Sequence, residues 1–336
     1  MTSLLEPWSL GPLRVPNRVA LAPLAGIGNW FVRLQARRYG AGLMVSEMVS
    51  SFAVHYGNPR TCTEMLRIDP RERSGGALVS VQLFGSDPEV MRSAAAQVAA
   101  AGADLIDLNM GCPVPKVCKT GAGAALLGEP GRAVAVARAA REGSGLPVTV
   151  KLRSGRRPGD TDGFDLAQRL VADAGVSAIA FHPRSAAVHH RGTPDYGLVA
   201  RLVECIEVPV ILTGGLSDAA AVRDALERTG AQAVMLARGC LGNPWLFEEL
   251  VRGRSRPPTG EEVIDELDWV IRCAVEHIGI DRAGGYLRKF YPWYVTRLGL
   301  DRESTARLLR TLQSRAGVRE ARADLLALRA RAPVAA

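Results

Sequence analysis

The sequence predicts an α/β chain, a (β/α)8 TIM barrel followed by a small C-terminal helical domain, and three observations carry that prediction. Eight short, continuously apolar segments recur between Arg18 and Leu236, separated by stretches of helical spacing; such segments fit parallel strands buried on both faces. The chain has 336 residues, 47% hydrophobic and 23% charged, enough for one large α/β domain and an appendage. No G-x-G-x-x-G follows the first strand, which counts against an open dinucleotide-binding sheet and leaves the closed barrel as the fit to eight βα units.

After a Pro- and Gly-rich lead-in, a first strand runs from Arg18 to Leu21 and ends in Ala22-Pro23-Leu24-Ala25-Gly26. A helix follows from about 29 to 39, with Gly40 as its stop. The second strand spans 42–46, and the polar stretch beyond it, with Tyr56, Asn58 and two prolines, reads as a long loop. The third strand is 78–84, with Asp87-Pro88 opening the next helix. The fourth, 104–108, leads into Asn109, Gly111, Cys112 and Pro113. Alternation continues with helix 130–142, strand 148–152, helix 163–174, strand 178–182, helix 196–206, strand 209–212, helix 217–228, strand 233–236 and a short helix near Pro244. The barrel is expected to occupy residues 1–251. An Arg-, Ser- and Pro-rich stretch, 252–258, then marks a boundary. Thr259 with Glu262 resembles a capping box, and helices at about 259–278, 282–298, 301–314 and 317–331 form the second domain, 259–336.

No apolar run reaches the length of a membrane span, and the N-terminus has no signal-peptide pattern, so a cytoplasmic protein without a membrane partner is expected. Six scattered cysteines suggest reduced thiols. Cys112 and Cys118 lack a histidine at ligand spacing, so no metal site is expected. The net charge is +8, and from Ile271 onward there are 13 Lys and Arg against 6 Asp and Glu. That concentration points to a polyanion, nucleic acid first, with an arginine-rich surface of no specific use as the alternative.

Barrel active sites form at the C-terminal ends of the strands. Those positions hold Pro23, Ala25, Glu47, Gln82, Asn109, Cys112, Lys151, Arg153, His182, Arg184, Gly214, Gly215, Arg238 and Gly239. Each has a bland reading, Cys112 as a buried strand-end thiol and His182 as a core histidine among them; together they read as a functional rim. Gly214-Gly215 and Ala237-Arg238-Gly239 supply backbone N–H groups and a guanidinium at strands 7 and 8, where barrels commonly hold phosphate. Gln82 suits the pyrimidine edge of an isoalloxazine ring, and Lys151 its N1–O2 region. Phosphate chemistry on a sugar would use the same glycines but has no evident need of Gln82.

The ordered motifs LAPLAG, SEMVSS, VQLFGSDPEV, NMGCPVPKV, KTGAGAALL, VTVKLR, FHPRSAAV, RGTPDY and VMLARGCLGNPWLF, with RKFYPWY near 288–294, resemble those of bacterial tRNA-dihydrouridine synthases, particularly the B-type branch. The resemblance implies FMN-dependent reduction of the uracil C5–C6 bond in tRNA by NADPH or NADH, with hydride from flavin N5 to C6. It implies Cys112 as the proton donor to C5. It implies FMN contacts at Pro23, Leu24, Ala25, Gln82, Lys151, His182, Gly214, Gly215, Ala237 and Arg238, and a base contact at Asn109. Arg184, on the rim, and Arg288 and Lys289, in the basic tail, are expected to face the tRNA. The chain departs from the family pattern at Gly28, which loses a hydroxyl, at Thr213-Gly214-Gly215, which loses an acid, and in the loop 154–162. A small-molecule FMN-dependent ene or pyrimidine reductase on the same barrel is the competing expectation.

Overall fold

The computed structural model describes residues 3–314 and 317–329. Its element β1 (Trp8–Leu10) pairs antiparallel with β2 (Leu13–Val15). Eight further strands follow: β3 (Val19–Leu21), β4 (Leu43–Ser50), β5 (Leu78–Phe84), β6 (Leu105–Met110), β7 (Val148–Arg153), β8 (Ala178–His182), β9 (Val210–Thr213) and β10 (Ala233–Leu236). They close into one barrel, each strand hydrogen-bonded to the next in chain order and β10 to β3, and all pairings are parallel. Between them lie α1 (Trp30–Arg38), α2 (Ser51–His55), α3 (Pro88–Ala100), α4 (Pro115–Cys118), α5 (Pro130–Ser144), α6 (Asp162–Arg169), α7 (Tyr196–Cys205) and α8 (Ala219–Thr229).

Local chemistry sets these boundaries. The side chains of Asn29, Asp87, Asp195 and Asp218 accept backbone N–H groups at the starts of α1, α3, α7 and α8. Left-handed Gly145 and Gly230 close α5 and α8.

Strand periodicity sorts the barrel interior into layers. Along β6, Leu105, Asp107 and Asn109 alternate with Ile106, Leu108 and Met110, which turn toward α3 and α5. The floor is apolar: Leu43, Leu105, Ala178, Ile211 and Ala233 join one buried cluster with Trp8, Leu10 and Val15 of the β1–β2 hairpin. Truncating Leu10, wholly buried, costs about 2–5 kcal/mol on the usual scale for such changes. Above the floor the inward positions become polar: Gln82, Asp107, Asn109, Thr149, Lys151 and His182.

Expected and observed barrel strands agree in order and number. Three segments differ. The lead-in forms the β1–β2 hairpin. The stretch after β4 contains helical turns at Thr61–Met65 and Pro70–Gly76 as well as α2. Its conformation is fixed by Glu72, which caps Asp69 N–H at 2.7 Å and forms a buried bidentate pair with Arg33 at 2.7 and 3.2 Å. Arg33 also donates to the carbonyls of Gly28 and Arg67; breaking such a pair from one side costs about 3–5 kcal/mol. The helix expected over 282–298 is two helices, as given below, and residues 330 and 331 lie outside the described residues.

The chain divides into two compact units, one up to Gly239 with Leu250–Arg252, the other Cys240–Glu249 and the described residues from Gly253 on. The second unit is helical: the first part of α9 (Trp245–Arg252), then α10 (Gly260–Ile278), α11 (Ile280–Leu287), α12 (Tyr291–Val295), α13 (Arg302–Ser314) and α14 (Val318–Arg329). Thr259 and Glu262 form the expected capping box, and Arg254 and Arg256 grip the same carboxylate, holding it well below the usual range, at about 2. Asp268 of α10 binds Arg272 at 3.1 Å and Arg322 of α14.

Candidate active site

The C-terminal mouth of the barrel gathers the rim residues by strand register. Gln82 is paired with Asp107, Asn109 with Lys151, and Arg153 with His182 across neighbouring strands. Pro23, Leu24 and Ala25 follow β3, whose neighbour β10 carries Ala237 and Arg238 just past its end. Ala22 N–H donates to Leu236 O at 2.8 Å, fixing the two ends side by side.

On the β5–β7 side a continuous hydrogen-bond chain runs from the core to the Cys112 turn. Thr149 Oγ1 donates to Asp107 Oδ1 at 2.6 Å, and Gln82 Nε2 donates to Asp107 Oδ2 at 2.6 Å. Asn109 Nδ2 donates to Gln82 Oε1 at 2.9 Å. Asn109 Oδ1 accepts the backbone N–H of Gly111 at 3.2 Å and of Cys112 at 2.9 Å. Gln82 and Asp107 are wholly buried, and burial raises the Asp107 carboxyl to about 6 against the opposing hydrogen bonds of Thr149 and Gln82. Asn109 also points Nδ2 at Met48 Sδ, 3.6 Å away, a weak acceptor that a ligand carbonyl can replace.

Cys112 itself is half-buried, and burial raises its thiol above the ordinary value although Lys151 and Arg153 lie close enough to oppose that shift. The thiol is therefore protonated at neutral pH. The Cys112 carbonyl accepts from Ala124 N–H at 2.9 Å and from the Cys118 thiol at 3.3 Å. Gly123, at φ +61, passes so near that a Cβ there would lie 2.7 Å from that carbonyl.

Beyond Cys112 the rim is cationic. The Lys151 side chain makes no hydrogen bond or ion pair among the described residues, and burial followed by the Arg153 charge lowers its ammonium to about 8. Arg153 donates to the carbonyls of Gly111, Ser185 and His189, tying the loop after β6 to the loop after β8. Arg184 Nη1 lies 3.3 Å from His182 Nε2 and its other nitrogens bind Gly192 O. Burial and then the Lys151 charge hold His182 neutral, so its Nε2 accepts. Gly214 and Gly215 are both left-handed, at φ +99 and +83. A Cβ on Gly214 would sit 2.4 Å from the His182 ring, and one on Gly215 2.5 Å from Tyr196 Oη. A side chain at either position would be strained by the positive φ; at Gly28 a Cβ would meet Glu47 N at 2.9 Å.

Arg288 and Lys289 lie in the helical unit, exposed after α11, with Lys289 over the Tyr286 ring. Asp107 and Thr149, which join this hydrogen-bond chain, were not among the expected site residues, although an acid at an inward position of an apolar strand is a legible signal. No cluster of His, Cys, Asp or Glu able to hold a metal occurs among the described residues, and no helix among them is long and apolar enough to cross a membrane.

Residues 20–330 match the family model described as dihydrouridine synthase. Over 302 residues the chain is 34% identical to a probable tRNA-dihydrouridine synthase 1 of Synechocystis, covering 86% of this chain and 81% of that protein. Over 309 residues it is 33% identical to tRNA-dihydrouridine synthase B of Pseudomonas aeruginosa, covering 90% of each. Among solved structures, morphinone reductase superposes on 76% of this chain and 92% of its own with a TM-score of 0.59 at 16% identity, a likeness of fold alone. With the motifs, the closed barrel and matches over most of its length in agreement, the chain belongs to the dihydrouridine synthase family.

Proposed function

We propose that this protein reduces the C5–C6 bond of uridines in tRNA to dihydrouridine, using FMN and NADPH or NADH, in the cytoplasm. The observation that carries the reading is a half-buried thiol, Cys112, on a turn fixed by Asn109 and beside a glycine-lined cationic rim.

The residues present fit FMN. The left-handed Gly214-Gly215 pair, where a side chain would be strained, and Ala237-Arg238 offer N–H groups and a guanidinium to a phosphate. His182, neutral and hydrogen-bonded to Arg184, lines the same region. Gln82 spends one N–H on Asp107 and keeps the other for a pyrimidine carbonyl. Lys151, its side chain without a partner among the described residues, suits an anionic ring edge. Pro23, Leu24 and Ala25 complete the site from β3. When bound, FMN supplies hydride for C6 of the uracil.

Cys112 gives its proton to C5, a role that needs a thiol still protonated at neutral pH, and the upward shift keeps it so. Asn109 offers the N–H now against Met48 to the uracil carbonyl. The base leaves its stack to reach the mouth, with Arg184 beside it, and Arg288 and Lys289 contact tRNA phosphates.

The test supplies purified protein with FMN, NADPH and unmodified tRNA, and maps dihydrouridine by mass spectrometry. Reduction of tRNA uridines with no turnover of free uridine or simple enones supports the reading. The reverse pattern makes the protein a small-molecule ene or pyrimidine reductase.

A further inference from the structure

The Cys112 turn is held at one end of a chain of side chains whose other end is buried in the barrel core, and its polarity runs in one direction. At the outer end, the N–H groups of Gly111 and Cys112 can only donate, so Asn109 must present Oδ1 to them. Its Nδ2 then faces Gln82, which must answer with Oε1, leaving Gln82 Nε2 to face Asp107. An ionised carboxylate is an acceptor only, so it matches this sequence of donors; a donor at that place would set N–H against N–H somewhere along the chain. Thr149 supplies the other carboxylate oxygen with a hydroxyl.

We propose that Asp107 is a positioning residue for Cys112, fixing through Gln82 and Asn109 the orientation of the turn that carries the thiol. The inference rests on the reading of Cys112 as the reactive thiol, but not on proton donation. Asp107 lies in the core and touches no substrate; it acts through two amides.

The decisive comparison exchanges the two polar types. Gln82→Glu places a second carboxylate against the first at the 2.6 Å contact, and the chain cannot close as before. Combining it with Asp107→Asn restores every donor and acceptor. The amide introduced at position 107 accepts from Thr149 and donates to the carboxylate introduced at position 82, which in turn accepts from Asn109. The total charge is also unchanged. Alkylation of Cys112 by iodoacetamide, followed on its own peptide by mass spectrometry in flavin-stripped protein, reads the thiol's setting without activity. Flavin occupancy is no readout here, because a carboxylate at position 82 lacks the second N–H of Gln82.

Gln82→Glu is expected to change the alkylation rate at least about fivefold, the worth of one net hydrogen bond, and the double variant to return it to within about twofold. Asp107→Asn alone is expected to be mild, since the Thr149 hydroxyl can accept as well as donate. Asp107→Leu, which can do neither, shifts the rate as Gln82→Glu does. A folded Gln82→Glu protein with the wild-type alkylation rate overturns the proposal, and so does a folded double variant that stays as altered as the single. If Gln82→Glu does not fold, recovery of both melting temperature and alkylation rate in the double variant supports it, and failure to recover overturns it. Whether tRNA-dependent flavin reoxidation survives Cys112→Ala is a separate measurement, so failure of the proton-donor role is distinguishable from failure of this one.

Discussion

The two halves of the barrel mouth are built on opposite principles. On the β5–β7 side, Gln82, Asp107, Thr149 and Asn109 satisfy one another, and this chain of hydrogen bonds closes without a ligand. On the β8–β10 side, Arg184 lies near His182 and His190 and Arg238 near His190, and neither arginine meets a carboxylate among the described residues. Like charges drawn together raise the free energy of the empty rim, and an anion relieves it. The first half is ordered in advance and suits placing a proton. The second is poised for a phosphate and suits holding a cofactor.

That division predicts that variants on the two sides fail differently. Cys112→Ala should leave FMN bound and reducible by NADPH, while reoxidation of reduced flavin by tRNA slows by about 10²–10⁴-fold, the usual loss for a general acid; stopped-flow traces of the two half-reactions separate these. Cys118→Ala is the internal control and should change neither trace.

On the other side, Gly214→Ala adds a Cβ against His182 at a left-handed backbone position. Where the empty loop relieves this strain by leaving the left-handed region, FMN binding must restore about 1–3 kcal/mol of it, a loss of affinity of about 5–150-fold measurable by flavin fluorescence titration, with the Cys112 alkylation rate unmoved. Equal damage to both readouts would merge the halves into one cooperative unit.

A smaller effect belongs to Lys151. Its ammonium, lowered to about 8, loses its proton between pH 7 and 9, so FMN affinity should fall through about pH 8 in the wild type and stay flat in Lys151→Met. Stability runs the other way. From about 8 up to the ordinary 10.5 the folded chain binds fewer protons at this site than the unfolded one, so the lysine's contribution to stability rises with pH there.

The smallest effect lies outside the mouth. Replacing Arg288, Lys289 and Arg297 together should lower the log–log salt slope of tRNA binding by roughly 0.7–0.9 per lost phosphate contact, with FMN affinity unchanged.

The strands were legible because parallel strands buried on both faces leave continuous apolar runs, and Ala178–His182 and Ala233–Leu236 fall where expected. β4 runs longer than its apolar run because the register shifts between Val45 and Met48, which periodicity does not encode. The β1–β2 hairpin was hidden by strands of three residues among prolines and glycines. The helical turns at 61–76 depend on Arg33, distant in sequence. The proposed site residues at the strand ends were read one by one, but sequence order does not reveal that Gln82 and Asn109 bind each other. Asp107 was passed over because it sits inside a strand that otherwise looks like core.

The hairpin floor has a consequence for proton traffic. Trp8, Leu10 and Val15 join the apolar side chains that fill the barrel base. A cup of this kind exchanges protons with solvent through its opening. On the proposed reading of Cys112 as proton donor, the thiol regains its proton through the opening that the bound base occupies, so departure of the product and recharging of Cys112 become successive events at a single doorway.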